Sequence, residues 1–462
     1  MDNNSEKKEQ SGKYKPSRRE LIKLVTAAGA GALVGGASDN AMAASNGGVS
    51  SQTFSLFEKE YETIDDMYDI SKDIRRFDQK YTALMRGMWD EEVRPSTISY
   101  GAKKMGLVPF AQEGTPGYSK VDWALHWAAM AGTNTCAPLA NLGVRGAGNY
   151  NDWSRHANPT YKRQIFEDKA EISKQVKRAA RFLGASLAGI APYDERWTYS
   201  KWFDIDPSVA DAKSMEIQHD KMRETEGVFP FQPKSVIALA FEMDYNALQA
   251  PGFISGAAPA LAYSDMPEVA FKVAEFLNLL GYKSIPTGND TGMSVPISVQ
   301  AGLGELSRMG LLITKKYGPR VRLAKVYTDL ELEYDKPTGF GVWEFCKRCK
   351  KCAEVCPSGA INIDRDPTVK SSTGSISNNP GVKKWFQRQE RCMLQFDRNG
   401  GTGCSYCITA CPYNKLDTWV HDTAKLLTGL PVGRDIARQL DDAFGYGKKS
   451  AEAAEAFWNK ED

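Results

Sequence analysis

Eight of the nine cysteines fall in two short runs near the C-terminus, Cys346-x2-Cys349-x2-Cys352-x3-Cys356-Pro357 and Cys392-x11-Cys404-x2-Cys407-x3-Cys411-Pro412. No other feature restricts the fold as much, because each run must turn tightly enough to aim several sulfurs at one point. Three thiolates of a CxxCxxC run reach one iron-sulfur cubane, and the fourth, ahead of the proline, crosses to a second. The spacing therefore predicts two [4Fe-4S] clusters, one held by Cys346, Cys349, Cys352 and Cys411, the other by Cys392, Cys404, Cys407 and Cys356. Zinc and disulfides are the alternatives. A structural zinc site uses paired CxxC units set some distance apart, and a CxxCxxC triplet followed by CxxxCP suits two tetrahedra poorly. The long Cys392-x11-Cys404 gap alters the second run but leaves four ligands per cluster.

At 462 residues, 42% hydrophobic and 25% charged, the chain has the make-up of a globular protein with room for more than one domain. Ser17-Arg18-Arg19-Glu20-Leu21-Ile22-Lys23, an apolar Gly/Ala-rich run from Leu24 to Ala37, and Ala41-Met42-Ala43 together read as a twin-arginine export signal with its cleavage site. The alternative is a buried Ala/Gly-rich helix that follows two arginines. The apolar run is short for a membrane span. Removing residues 1–43 takes away seven basic and five acidic residues, so the formal charge of +2 falls to zero. Bulk electrostatics then gives no support to nucleic-acid binding.

Residues 44–70 read as a linker followed by first contacts at Phe54, Phe57, Tyr61, Met67 and Tyr68. Arg75 to Trp89 has the pattern of an amphipathic helix, with Phe77 and Trp89 as core residues or pocket walls. Residues 106–160 form an irregular covering layer with one helix near Val121 to Ala131; His126, His156 and Cys136 read as packed side chains. A helix at Glu171–Phe182, strands at Gly184–Ile190, Ser235–Met243 and Arg322–Thr328, and a helix at Met266–Leu280 predict one α/β core with strand directions left open. No GxGxxG or Walker pattern opens a strand, which argues against a nucleotide site. Lys370 to Pro380 reads as an exposed loop, and Asp422 to Asp462 as a tail that packs back through Leu427, Ile436, Leu440 and Trp458.

Together, Arg18-Arg19, Phe77-Asp78-Gln79-Lys80, Ala301-Gly302-Leu303-Gly304-Glu305, Gly318-Pro319-Arg320-Val321-Arg322, Asp335-Lys336-Pro337, the two cysteine runs and Asp441-Asp442-Ala443-Phe444-Gly445-Tyr446-Gly447 resemble the respiratory corrinoid/iron-sulfur reductive dehalogenases. The resemblance covers nearly the whole chain and includes the tetrachloroethene and chloroalkane reductases. It implies an α/β (α+β) nitroreductase-like core over residues 165–339 that binds a base-off cobamide, and a ferredoxin-like domain over 340–420. A signal (1–43), a covering region (44–164) and a C-terminal tail (421–462) complete the expected organisation. The missing Asp-x-His-x-x-Gly motif agrees with a cobamide whose lower base no histidine replaces.

The resemblance also places the family's catalytic tyrosine on Tyr263, its asparagine on Asn289 and its arginine on Arg322. A phenol of pKa about 10 gives up a proton more readily when a cation stabilises the phenolate. Tyr263 would thus be the general acid, Arg322 its cation, and Asn289 a hydrogen-bonding group for halogen or phenol. Packing at Tyr263, an ion pair at Arg322 and a plain turn at Asn289 are the structural alternatives, and Arg320 competes with Arg322. The loop Phe396 to Gly403 lacks the tyrosine and the larger ring of a chloroethene-reducing relative. It points to a small chlorinated alkane or alkene, with a chlorophenol as the other candidate. The implied partners are a small integral membrane anchor, a menaquinone-linked donor chain and a second copy in a homodimer, at the outer face of the cytoplasmic membrane. An epoxyqueuosine-reductase-like enzyme is the rival, and it would need a cytoplasmic chain with a basic face.

Overall fold

The structure, a computed structural model, describes residues 58–104, 106–132, 153–205, 222–288, 290–416, 418–429 and 433–460. The export signal, Phe54, Phe57, Cys136 and Asn289 lie outside the described residues.

Leu187–Pro192 (β1), Ser235–Glu242 (β2), Ser284–Thr287 (β3) and Val321–Thr328 (β4) form a sheet in the order β1-β2-β4-β3. Every neighbouring pair is antiparallel, so the layered core is α+β. Side chains alternate between the faces of a strand, and here both faces are buried. Ile237, Leu239 and Phe241 of β2 and Ala324 and Val326 of β4 share one apolar cluster. Val236, Ala238, Ala240, Leu323 and Tyr327 belong to another on the opposite face. Ile190 and Ile237 are completely buried, each worth roughly 1.5–3 kcal/mol.

Among the described residues, ten helices frame the sheet and the cysteine runs: Arg94–Lys104 (α1), Lys120–Ala129 (α2), Lys169–Phe182 (α3), Gly252–Leu279 (α4), Ser294–Gln300 (α5), Val342–Cys349 (α6), Gln389–Arg398 (α7), Trp419–Gly429 (α8), Gly433–Ala443 (α9) and Ala451–Trp458 (α10). A further seven-residue helix, Ala83–Trp89, replaces the longer one that the pattern from Arg75 predicts. On α3, Ile172, Val176 and Ala180 recur every four residues and are buried, while Asp168 caps the first turn by accepting from the Glu171 amide at 3.0 Å.

The largest departure from the sequence reading is α4. Its 28 residues begin at Gly252, well ahead of the expected Met266, so Tyr263 lies within the helix and not before it. Pro259 and Pro267 both lie inside the helix. An interior proline costs about 3 kcal/mol, which the burial of Phe253, Ile254, Ala258, Ala262 and Met266 overrides. Gly252 starts the helix at φ +62°, where a Cβ would come within 2.3 Å of the Gly117 carbonyl oxygen; that same oxygen accepts the Phe253 amide at 2.7 Å. Among the described residues, no helix is long and apolar enough to cross a membrane.

The Ala301–Glu305 segment acquires a structural meaning. Glu305 is buried, and its carboxylate accepts from the amides of Phe340, Val342 (3.1 Å) and Trp343 (3.4 Å) at the start of α6, the helix that carries Cys346 and Cys349. Burial pushes its pKa up, and those amides hold it back. Glu305→Ala leaves the amides without an acceptor at about 1–3 kcal/mol for each buried group. Chemical denaturation should show a lower midpoint, with Glu305→Gln, which keeps one oxygen, falling between the two.

The tail packs on α6 through Leu427, Ala437, Ile436 and Leu440. Trp458, expected in that contact, is 47% exposed instead, and its indole N–H donates to Asp122 at 2.8 Å. Asp441 of α9 is buried between Lys351 (2.5 Å) and Lys415 (2.6 Å).

Candidate redox centre and active site

The cysteines separate into two adjoining groups. Cys346, Cys349, Cys352 and Cys411 are buried and line one small cavity together with Arg308, Phe345 and Tyr413. Burial pushes Cys346 up to about 11 and Cys349 to about 12. Cys392 is raised by burial and then by Cys404, Cys407 and Cys356, which marks these four as mutual neighbours. Burial also acts most strongly on Cys356, but hydrogen bonds from Ser358, Ile361 and Ala360 bring it below the ordinary thiol value. Cys352 is raised by burial, by the rest of its own group and by Cys407, so the two groups meet at that pair. Thiols this buried ionise readily only when a cation takes the charge, which cluster iron does.

Each run repeats one backbone device. Lys350 follows Cys349 at φ +56° and Ser405 follows Cys404 at φ +49°, the only non-glycine residues with positive φ among the described residues. A left-handed residue of this kind costs roughly 1–2 kcal/mol, and the cost recurs where a CxxC must close on itself. No three His, Cys, Asp or Glu side chains among the described residues converge on a single-ion site. The first four sulfurs surround a space instead, as a cubane requires.

Beside the second group lies Arg322. Its charge bears on both Cys392 and Cys407. Residue 322 points to the α4 side of β4, and its guanidinium carbon stands 5.2 Å from the centre of the Tyr263 ring. The Arg322 Nε is buried with no hydrogen-bond partner among the described residues. Arg320 is used elsewhere: it is 1% exposed and donates to Glu242 (2.9 Å) and to the carbonyls of Tyr317 (3.1 Å) and Lys415 (2.6 Å).

Tyr100 of α1, which no motif marks, completes this corner. Burial pushes it up to about 12, with Tyr263 a further cause, and its ring lies 6.0 Å from Phe396. The loop between Cys392 and Cys404 has no tyrosine of its own, but one from another element thus stands against it. Gly256, two turns before Tyr263 on the same helix face, shows how closely that loop approaches. A Cβ there would meet Thr402 Oγ1 at 1.9 Å and His126 Nδ1 at 3.0 Å. Thr402 Oγ1 and both His126 ring nitrogens are buried and lack hydrogen-bond partners. Burial, helped by Lys104, pushes His126 down to about 3, so it is neutral. His156 pairs with Glu275 at 3.2 Å.

On the opposite face of the sheet lies a cavity of about 360 Å³, within the range of cofactor sites. Phe77, Trp197, Met293 and Val382 supply apolar walls, and Asn378, Asn379, Gln387 and Gln389 supply amides. Lys384 is its only charged lining residue; its ammonium donates to the Asn379 carbonyl at 2.6 Å, and burial lowers its pKa to about 8. Part of Lys370–Pro380 therefore closes a cavity where the sequence predicts an exposed loop, with Ser375 and Asn379 buried. Trp89 is not in that wall; it packs on Met85, Met88 and Phe203. Gly292, Met293 and Ser294, beyond the end of β3, line this cavity.

Residues 345–414 match the family model of the 4Fe-4S double cluster binding domain. Over 304 residues the chain is 47% identical to the tetrachloroethene reductive dehalogenase of Dehalobacter restrictus, covering 61% of this chain and 55% of that one. The tetrachloroethene reductive dehalogenase of Sulfurospirillum multivorans is 36% identical over 295 residues, 61% of this chain and 58% of that one. The chain thus matches little more than half the length of these relatives. An epoxyqueuosine reductase of Lactococcus garvieae also matches, 31% identical over 128 residues, 27% of this chain and 34% of that one. Among solved structures, a catabolic reductive dehalogenase has the same fold, with a TM-score of 0.62 at 21% identity over 85% of this chain and 49% of the other. The likeness supports an α+β core of the reductive-dehalogenase kind joined to a double-cluster domain.

Proposed function

We propose that the chain is a cobamide-dependent reductive dehalogenase that removes halogen from a small chlorinated alkane or alkene. The observation that carries this reading is the contact of Tyr263 with Arg322 beside the second cysteine group. It joins a proton source, a cation and an electron-delivering ligand set in one corner. The activity of the relatives, tetrachloroethene reductive dehalogenation, supports the substrate class.

The residues fit the cofactors. Cys346, Cys349, Cys352 and Cys411 would hold one [4Fe-4S] cluster, and Cys392, Cys404, Cys407 and Cys356 the other. The orphaned Arg322 Nε and Thr402 Oγ1 are polar groups that a bound molecule would satisfy. A bound cobamide supplies low-valent cobalt that delivers electrons to the carbon-halogen bond.

The chain's own residues do the rest. Tyr263 Oη donates the proton that replaces the halide. Arg322, over the ring face, stabilises the phenolate left behind. Asn289, assigned by the family resemblance, holds the halogen or orients the phenol by hydrogen bonding. Tyr100, Phe396 and α4 exclude water from this corner. Arg320 is structural, which separates the two arginines experimentally. Arg320→Met should lower stability by about 1–3 kcal/mol through the buried carbonyls it leaves unpaired, while folded protein keeps its kcat. Arg322→Met should do the reverse, as steady-state rates and denaturation midpoints will show.

The Arg18-Arg19 segment supports export by the twin-arginine route. In this reading the mature protein is peripheral at the outer face of the cytoplasmic membrane, held by a small integral anchor, fed by a menaquinone-linked chain and paired in a homodimer. The absence of a long apolar helix among the described residues is compatible with a peripheral location. The decisive assay is anaerobic turnover of cobamide- and cluster-loaded protein with reduced viologen against chlorinated methanes, ethanes, ethenes and phenols. Halide release with an aliphatic preference is the expected result. No release across the panel from fully loaded protein overturns the proposal.

A further inference from the structure

Arg308 is completely buried, yet no carboxylate pairs with it among the described residues. Its five nitrogen-to-oxygen contacts all go to main-chain carbonyls: Nε and Nη2 to Cys346 (3.0 and 2.7 Å), Nη1 to Asn362 (2.8 Å) and Asp364 (2.6 Å), and Nη2 to Arg365 (3.5 Å). One face lies on Trp385, 4.6 Å from ring centre to guanidinium carbon. The side chain also lines the cavity bounded by Cys346, Cys349, Cys352 and Cys411. A buried guanidinium stays protonated, and carbonyl dipoles solvate it without neutralising it. An isolated buried charge is costly unless an opposite charge stands near. The opposite charges that bear on it are first the thiolates of Cys346, Cys352 and Cys349 and then, more weakly, the Asp364 carboxylate.

Resting on the two-cluster reading above, we propose that Arg308 sets the reduction potential of the cluster held by the first cysteine group. Its positive charge favours the reduced form and raises that potential. The step is one electron from a reduced mediator to the cluster, with no proton and no bond made or broken. The cluster with its thiolates is already anionic and gains one further negative charge, which a cation in a low-dielectric setting stabilises. Arg308 bears on the first group only, while Arg322 stands beside the second.

The test is a redox titration of holoenzyme without organohalide, followed by electron paramagnetic resonance of the reduced clusters, in wild type, Arg308→Gln and Arg308→Lys. Arg308→Gln should lower the reduction equilibrium constant of one cluster at least tenfold, about 59 mV for one electron, and leave the other unmoved. Arg308→Lys, which keeps the charge and gives up part of the hydrogen-bonding fork, should stay within that bound. Full iron in Arg308→Gln with both potentials unmoved overturns this inference alone. If Arg308→Gln fails to load the cluster, the lysine variant decides: an unmoved potential supports the charge, and a tenfold loss assigns the effect to the carbonyl contacts and overturns it. Wild-type protein that binds no cluster would overturn the two-cluster reading and this inference with it.

Discussion

Tyr263→Phe should lower kcat for halogen replacement by about 10²–10⁴-fold, the usual contribution of a positioned general acid. The ring, its packing on α4 and its contact with Arg322 all survive the change, so iron content, cobamide content and stability should match wild type. Vicinal dihalides offer the sharper comparison. Their two-electron elimination to an alkene needs no proton, so the variant should retain that activity while it loses replacement chemistry. Side-by-side product analysis with a monochlorinated and a vicinal dichlorinated alkane reads this directly. An equal loss on both substrates would show that Tyr263 shapes the site and is not the acid.

Crossed ligation gives the second large effect. Cys356 lies in the first run, yet Cys356→Ala should empty or damage the second cluster, next to Arg322. Cys411→Ala, in the second run, should damage the first. Each variant should lose up to half of the bound iron and all turnover, because electrons can no longer pass along both stations. The two should differ in which resonance disappears. The groupings argue for this pattern: Cys411 shares a cavity with Cys346, Cys349 and Cys352, and the charge of Cys356 acts on Cys392. Loss of the cluster nearest in sequence in each case would overturn the assignment.

What the sequence shows, and what it hides, follows from how far each signal reaches along the chain. The cysteine runs are local, so their grouping is visible before any fold is known. The strands of the sheet are also local, short apolar runs bounded by turns, and Ser235–Met243 is found within one residue as Ser235–Glu242. The sequence reading starts this helix at Met266, whereas α4 begins at Gly252, where its first turn is held by the Gly117 carbonyl from far away in the chain. Tyr263 itself comes only from family resemblance, and nothing local distinguishes it from a packed tyrosine. Arg320 and Arg322 look alike in sequence, but Arg320 lies just before β4 and pairs with Glu242, whereas Arg322 lies within the strand and faces Tyr263. Tyr100, Lys384 and the amides of residues 378–389 carry no spacing signal at all. They meet because separate segments converge.

The position of Asp441 ties the C-terminal helices to both cysteine runs at once. Its carboxylate is held between Lys351, within the first run, and Lys415, just after the second. A buried carboxylate with one of these ammonium groups missing costs several kcal/mol, so α9 docks favourably only where both runs hold their lysines in place, and a distortion of either run is felt as weaker docking of α9.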